Sequence, residues 1–557
     1  MKQQDCARAL ANLCSKETNH LPIYRQGGLS ALIKLSQHNE DICQRYVATA
    51  LRFLATDPEV RTAIASEEAI DSFMLLASHS LIGYQRAAAA SFASMSLSEE
   101  CRSVLVEKGG LQVCLQLLQK QDLYVRQHAM FTIANISDAH STHKMILNEG
   151  TIPILVKLGG KDDVKIQRDI SRAFSSLSSS EDTKIPLIEC GILPMLIELT
   201  RSIDVATQKY VALTLCNLSH SSRKVLIVES GVIRSLVFLA RFPDMDIERY
   251  AALAFASLGL GGHGDSKDLI VGEGAVKPLV EMSKFPDGEM QQCAALALNS
   301  IALGTCNGSK VEILKLNGLE PIIDFLETHD FERIHLAAYL FGSLSENEEV
   351  KESLVELGVT SKLVKQAAKG SIEVKRAACY YLALLAENAT FHKKLEDEGG
   401  FEAIISLSSL SDVECQEYGA FALAFLASNK NYQVTLVKLG AVRPLVSMMA
   451  TEAEPRHYAG LALLKLADNF ENHVVIAEEG GIQALLRMGR NRSTDEELSY
   501  KTALTVGHLA SNAVKSLPSE GLHFSDGAIG FASGSLHERS AIGSAATMTT
   551  TQTRSQS

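Results

Sequence analysis

Tryptophan is absent from the 557 residues, and aromatic side chains make up only 6% of them. Ala and Leu carry most of the apolar content instead, which argues for helices and against a β-sandwich or barrel. No stretch approaches 18 consecutive apolar residues, so no membrane-spanning helix is expected. The opening MKQQDCARALANLC has no apolar segment followed by a small-residue cleavage site, so no secretory signal is visible. It also lacks Gly after Met, which excludes N-myristoylation of the chain as written. An excess of positive charge is missing: 53 Lys and Arg stand against 65 Asp and Glu, for a net charge of −12. A general nucleic-acid binder shows the opposite balance. The eleven Cys include no C-x-x-C pair and read as reduced, mostly buried thiols.

Catalytic and cofactor motifs are missing too. There is no H-E-x-x-H, no Cys/His set with zinc-ligand spacing and no G-x-S-x-G elbow. The glycines at 259, 261, 262 and 264, between Ser257 and Lys267, superficially suggest a phosphate-binding loop. They follow a helix rather than a strand, and no Gly-Lys-Ser/Thr is present. We read this segment, and GTCNGSK at 304–310, as expanded loops. The expectation is a non-enzymatic protein with no cofactor and no metal.

What the chain does contain is repetition. A motif of the form [EKL]-x-G-h-h-x-x-L-h, with h apolar, returns at Gly27, Glu68, Gly109, Gly150, Gly191, Gly231, Gly274, Gly318, Gly358, Gly399, Gly440 and Gly480. The spacing stays between 40 and 44 residues over some 450 residues. Within one period a short apolar segment precedes the Gly, as in HKMILNEG at 143–150. A medium segment follows it, TIPILVKL at 151–158, and after a polar break comes a long one, IQRDISRAFSSLS at 166–178. Gly suits the left-handed residue that ends one helix before the next begins. Pro153, Pro194 and Pro321 fall in the first turn of the next helix, where a missing N–H costs little. Val211, Leu215 and Leu218 stand at i, i+4 and i+7, a helical spacing. Each unit is therefore three helices, and one unit alone cannot bury its apolar faces.

Three helices, a Gly between the first two and a period near 41 residues resemble the armadillo family. The resemblance covers about residues 1–513 and implies an all-α fold, a right-handed superhelical solenoid of about twelve repeats plus a partial N-terminal one. Segments such as DIERYAALAFASLG at 246–259 and DCARALANLC at 5–14 resemble the fungal vacuolar armadillo scaffold and its protist relatives most. The chain opens inside a third helix, since CARALANL aligns with YVALTLCNL at 210–218, so an upstream half-repeat is expected to be missing. From 514 to 557 the composition turns to Ser, Gly and Thr, the signature of a disordered tail.

In the family the third helix lines the inner groove, and a recurrent Asn near its end bonds the backbone of an extended peptide. Here only Asn12, Asn135 and Asn217 keep that Asn among thirteen positions. Four residues earlier importin-α has Trp; here the row holds Phe131 among others and no Trp. A nuclear-import adaptor is therefore disfavoured. Seven before the Asn position stand Tyr46, Tyr210, Tyr250, Tyr418 and Tyr458, and eight before it Arg45, Arg86, Arg168, Lys209, Arg249 and Arg376. At 100° per residue the Tyr row lies about 20° from the Asn row, on the same face. The expectation is a scaffold or adaptor that grips extended, acidic segments of other proteins, with Asn135, Phe131 and Asn217 beside the Tyr and basic rows. The competing expectation is that Tyr packs between repeats and the bases merely begin a solvated helix. The resemblance further implies a cytoplasmic protein at an organelle membrane, reached indirectly or through a lipid anchor not contained in these residues. Other functions compatible with the fold are a cargo adaptor, the substrate-recognition part of a ubiquitin ligase, and a ciliary or cytoskeletal armadillo protein.

Overall fold

The computed structural model describes residues 2–516 except 38–39, 67–68, 161–162, 262–263, 304–306, 451–454 and 490–495. Every regular element among them is a helix. The long helices are numbered here in chain order: α1 (Lys2–Cys14), α2 (Asp41–Leu54), α3 (Ile82–Met95), α4 (Leu123–Ser137), α5 (Val164–Leu177), α6 (Val205–Ser219), α7 (Met245–Gly261), α8 (Gly288–Ala302), α9 (Phe331–Leu344), α10 (Ile372–Glu387), α11 (Val413–Ser428), α12 (Pro455–Leu466) and α13 (Glu496–Ser516). Each packs on the next, from α1 on α2 through to α12 on α13. A short and a medium helix precede each from α2 onward, as in Glu181–Glu189 and Ile192–Leu199 before α6. The buried apolar residues form one continuous cluster from Ala7 to Leu509, with no boundary into separate globules. That is how units too small to bury themselves become stable.

The recurrent Gly does the work its spacing predicts. It is left-handed at ten positions, with φ between 67° and 90°. Gly318 departs from the rule: the residue before it, Asn317, takes the left-handed turn at φ 54°. The medium helix of that repeat is also shortened, to Glu320–Ile323 followed by a 3₁₀ turn, Asp324–Glu327. Glu68 lies outside the described residues. The Gly-rich segment at 257–267 is not the loop expected from its composition. Helix α7 runs through Gly261, and the next helix starts at Gly264. The break at 304–310 is likewise shorter, because a helix begins at Asn307. Helix α13 continues to Ser516, three residues past the expected end of the solenoid at 513, and the rest of 514–557 lies outside the described residues. Among the described residues no helix is long and apolar enough to cross a membrane. Most described thiols are buried, and burial pushes Cys114 and Cys216 up to about 12, as suits unreactive core cysteines.

One polar row holds the repeats together and was not anticipated. The first turn of each short helix carries, in order, His20, Arg61, Arg102, His143, Lys184, Lys224, Lys267, Lys310, Lys351, His392, Gln433 and His473. Nine of these donate to backbone carbonyls at or near the end of a long helix. His20 Nε2 reaches Cys14 O at 2.8 Å, His143 Nε2 reaches Ser137 O at 2.8 Å, and Gln433 Nε2 reaches Ala427 O at 3.0 Å. Arg102 and Lys224 reach forward instead, to Asn135 O at 3.0 Å and Ser257 O at 2.6 Å in the long helix of their own repeat. Lys184, Lys310 and Lys351 pair with Glu181, Glu346 and Glu348. The last carbonyls of a helix have no partner of their own and lie at its negative end, so a buried N–H donor there satisfies both needs.

This row yields a pH prediction. Burial holds the His143 imidazole below its usual range, because charging it would desolvate a cation. The unfolded chain then binds the proton more readily. The His143 contribution is complete above about pH 6.5 and falls as the pH drops through that value. Gln occupies the same position in a later repeat, so His143→Gln keeps the donor and removes the titration. Melting temperatures between pH 7.5 and 5 are expected to fall less steeply for that variant than for the wild type.

Candidate functional site: the inner face of the long helices

The long helices are buried on the sides that meet their neighbours, which leaves one shared face for ligands. The basic row stands on this face, and most of it is already occupied. Arg86 Nη2 lies 2.6 Å from Asp122 Oδ2, Arg168 Nη2 2.5 Å from Asp204 Oδ1, and Arg376 Nη2 2.6 Å from Asp412 Oδ2. Arg249 bonds both Asp287 and Glu289 at 3.0 Å, and Lys209 pairs with Asp246. In each case the acid begins the next long helix. Asp122, Asp204, Asp287 and Asp412 are N-caps as well, accepting from the backbone N–H of Val125, Thr207, Met290 and Cys415. Gln127 makes the neutral version of the same bridge, to Asp163 at 3.0 Å. Arg45 alone of the six bases has no described carboxylate within ion-pair distance.

The row is thus a series of ties between repeats. A ligand carboxylate at Arg86, Arg168, Lys209, Arg249 or Arg376 would have to displace an intramolecular aspartate. Charge reversal of Arg168, Lys209 and Arg249 to Glu would set like charges against Asp204, Asp246 and Asp287. It is expected to lower the melting temperature before it reports on any ligand.

The ties also set an acid limit. The bond from Arg376 holds the Asp412 carboxyl down to about 2. A depressed carboxylate pKa gives stability that is complete above about pH 4 and is lost as the pH falls towards 2. Asp412→Ala removes a helix cap and an ion pair together and is expected to cost about 2 kcal/mol in denaturant unfolding. Arg376→Ala keeps the cap and should cost less.

The Asn positions are engaged too. Asn135 is buried, its Nδ2 2.7 Å from Ser96 Oγ and its Oδ1 accepting from Arg172 Nη2 at 2.6 Å. It ties α4 to α5 and to the turn after α3, and it is not free to hold a peptide backbone. Asn217 Nδ2 likewise contacts Ser178 Oγ at 3.1 Å and Ser175 O at 3.3 Å. Phe131 is half-buried, with the Arg172 guanidinium 5.4 Å from its ring centroid.

Tyr46, Tyr210, Tyr250, Tyr418 and Tyr458 are all half-buried, so each has one side on the core and one on solvent. From α9 to α12 they join other aromatics into a strip. Tyr339 is 41% exposed. Tyr380 and Tyr418 rings lie 5.0 Å apart, Phe421 and Tyr458 5.2 Å, and Phe421 and Phe425 4.7 Å. Burial pushes the Tyr418 hydroxyl up to about 12, so it stays a neutral donor. Tyr339, Tyr380 and Phe421 occupy the row four before the Asn position. A search of that row for any aromatic, rather than for Trp, would have found the strip.

At the other end of the face an open hollow of about 410 Å³ crosses α2 to α5. Asp169 on its wall is largely buried, its side chain 15% exposed, and has Arg172 as its nearest cation, at 4.0 Å. Burial pushes its carboxyl up to about 6. A raised carboxylate pKa favours the folded state most below about pH 4, and that advantage is lost as the pH rises to about 6. Asp169→Asn is therefore expected to stabilise the protein at pH 7 by about 1–2 kcal/mol, read from denaturant midpoints. A group that costs stability where it stands is a candidate for a functional role.

Residues 180–220 match the family model for the armadillo/beta-catenin-like repeat. Two solved structures are similar over most of the chain. One, the crystal structure of an engineered protein from a structural-genomics consortium, is 27% identical with a TM-score of 0.61 and covers 71% of this chain and 98% of its own. The other comes from work on a conserved phosphorylation switch that controls the interaction between cadherin and beta-catenin. It is 16% identical with a TM-score of 0.70, covering 82% of this chain and 99% of its own. The fold is an armadillo solenoid. No curated protein matches the chain at a significant level. The aromatic strip, the Arg–Asp ties and the hollow all lie along the long helices of this solenoid.

Proposed function

We propose that the chain is a non-enzymatic scaffold that holds an extended segment of a partner protein in its concave groove. The observation that carries this reading is the aromatic strip on α9 to α12, from Tyr339 through Tyr380, Tyr418 and Phe421 to Tyr458. Neighbouring long helices pack at about 8–10 Å, and an extended chain advances about 3.3 Å per residue, so about three partner residues span one repeat. Aromatic side chains rich in apolar area and short of rotamers are favoured anchors in protein interfaces. The internal pairing of the basic row moves the main grip from acidic side chains to apolar and aromatic ones. Affinity then accumulates over several repeats rather than residing in one contact.

Site-specific photo-crosslinking tests the reading. A benzoylphenylalanine replaces Tyr339 or Tyr418 in the groove, and Leu226, 45% exposed on a short helix, serves as the control. Groove positions are expected to capture one partner segment in a linear order that follows the repeats. Capture from Leu226 with none from the groove would remove the proposal.

A further inference from the structure

The groove is interrupted at α3. Where α2 carries Phe53 and α4 carries Phe131, α3 carries Ser94 and Ala90. The hollow opens over these small side chains. Ala90 and Ala93 lie in its floor, Tyr124, His128 and Phe131 form one wall, and Arg52 and Lys165 stand at opposite ends, on α2 and α5. The Tyr124 and His128 rings lie 4.0 Å apart. Unlike Arg86 and Arg168 beside them, Arg52 and Lys165 have no described carboxylate within ion-pair distance. The Arg52 guanidinium stacks 4.4 Å over the Phe53 ring, which holds it in place without neutralising it.

We propose that this hollow receives the phosphotyrosine side chain of a partner's extended segment. The inference rests on the reading of the groove as protein-binding. Its chemistry comes from the two halves of the hollow. The alanine floor and the aromatic wall bury a flat ring. The cations on α2 and α5 lend the hollow positive charge that suits a dianion, and Arg52 presents the donor fork suited to phosphate. Phosphoserine would leave the floor empty, tyrosine would leave both cations unmatched, and a lysine side chain would face them as a like charge. The one opposing group is Asp169. Its burial already raises its pKa, so it takes up a proton beside an arriving phosphate at little cost and becomes a hydrogen-bond donor.

Fluorescence polarisation with the full chain tests this. The probes are labelled Gly-Ser peptides bearing one central phosphotyrosine, tyrosine, phosphoserine or lysine. The phosphotyrosine peptide is expected to bind at least 10-fold tighter than each of the others. Ala90→Leu with Ala93→Leu fills the floor and should reduce that binding at least 10-fold, with the helical circular dichroism kept. Arg52→Gln with Lys165→Gln alters surface groups only, should weaken binding as much, and decides the matter should the filled variant fail to fold. Asp169→Asn removes the opposing charge and should leave binding unchanged or tighter. Equal affinity for tyrosine and phosphotyrosine, preference for the lysine peptide, or loss of binding in Asp169→Asn would each overturn the proposal. Crosslinks from Tyr339 and Tyr418 that persist in the filled variant separate this failure from failure of the scaffold reading.

Discussion

Tyr381→Ala is expected to destabilise the solenoid by about 3–5 kcal/mol, the largest single effect in this molecule. Tyr381 on α10 is fully buried, and its hydroxyl lies 3.0 Å from Thr360 Oγ1 on the medium helix Val359–Lys369 of the same repeat. Truncation to Ala removes a ring from a close-packed site and leaves the Thr360 hydroxyl in an apolar cavity. Tyr381→Phe keeps the ring and loses only the hydrogen bond, and about 1 kcal/mol is expected. Stability in a repeat array is local unit strength plus coupling to neighbours, so the damage should begin around α10. Hydrogen exchange is expected to show early opening of residues near 345–430 while α4 to α6 stay protected. A uniform loss of protection along the chain would contradict nearest-neighbour coupling.

Glu346→Ala is expected to cost about 2–4 kcal/mol, because it strands a buried cation. Lys310 is 1% exposed, and its ammonium pairs with Glu346 in the turn that follows α9. The other oxygen of Glu346 accepts from the Tyr380 hydroxyl at 2.6 Å, so one carboxylate joins the buried basic row to the aromatic strip. Removing Glu346 leaves Lys310 desolvated without compensation and frees Tyr380. Lys310→Met with Glu346→Gln removes both charges, keeps an acceptor for Tyr380, and should recover most of the loss. The double-mutant cycle in urea reads the coupling directly. Additive single effects would show that the pair does not act as a unit.

The repeat was legible because a left-handed turn between two helices admits few residues other than Gly, which prints the period onto the sequence. The exceptions obey the same constraint, with Asn317 taking the turn ahead of Gly318. The Gly-rich run at 257–261 was misread because composition suggested a loop while burial favoured helix. Ala256 and Leu258 are both buried, and α7 continues past them. The buried row from His20 to His473 stayed hidden because it mixes His, Lys, Arg and Gln. Those four residue types differ in sequence statistics but share an N–H donor, which is all the helix end requires.

For the groove, periodicity alone selected the side chains that share a face, because the helical repeat fixes the angle between positions seven and eight residues apart. Which of them remain available to a ligand was decided by tertiary packing. Arg86 and Arg52 are the same residue type on neighbouring helices, yet one is bound to Asp122 across a repeat boundary and the other faces an alanine-floored hollow. The distance between a base on one long helix and an acid at the start of the next depends on how the repeats stack, and no local sequence signal encodes that separation.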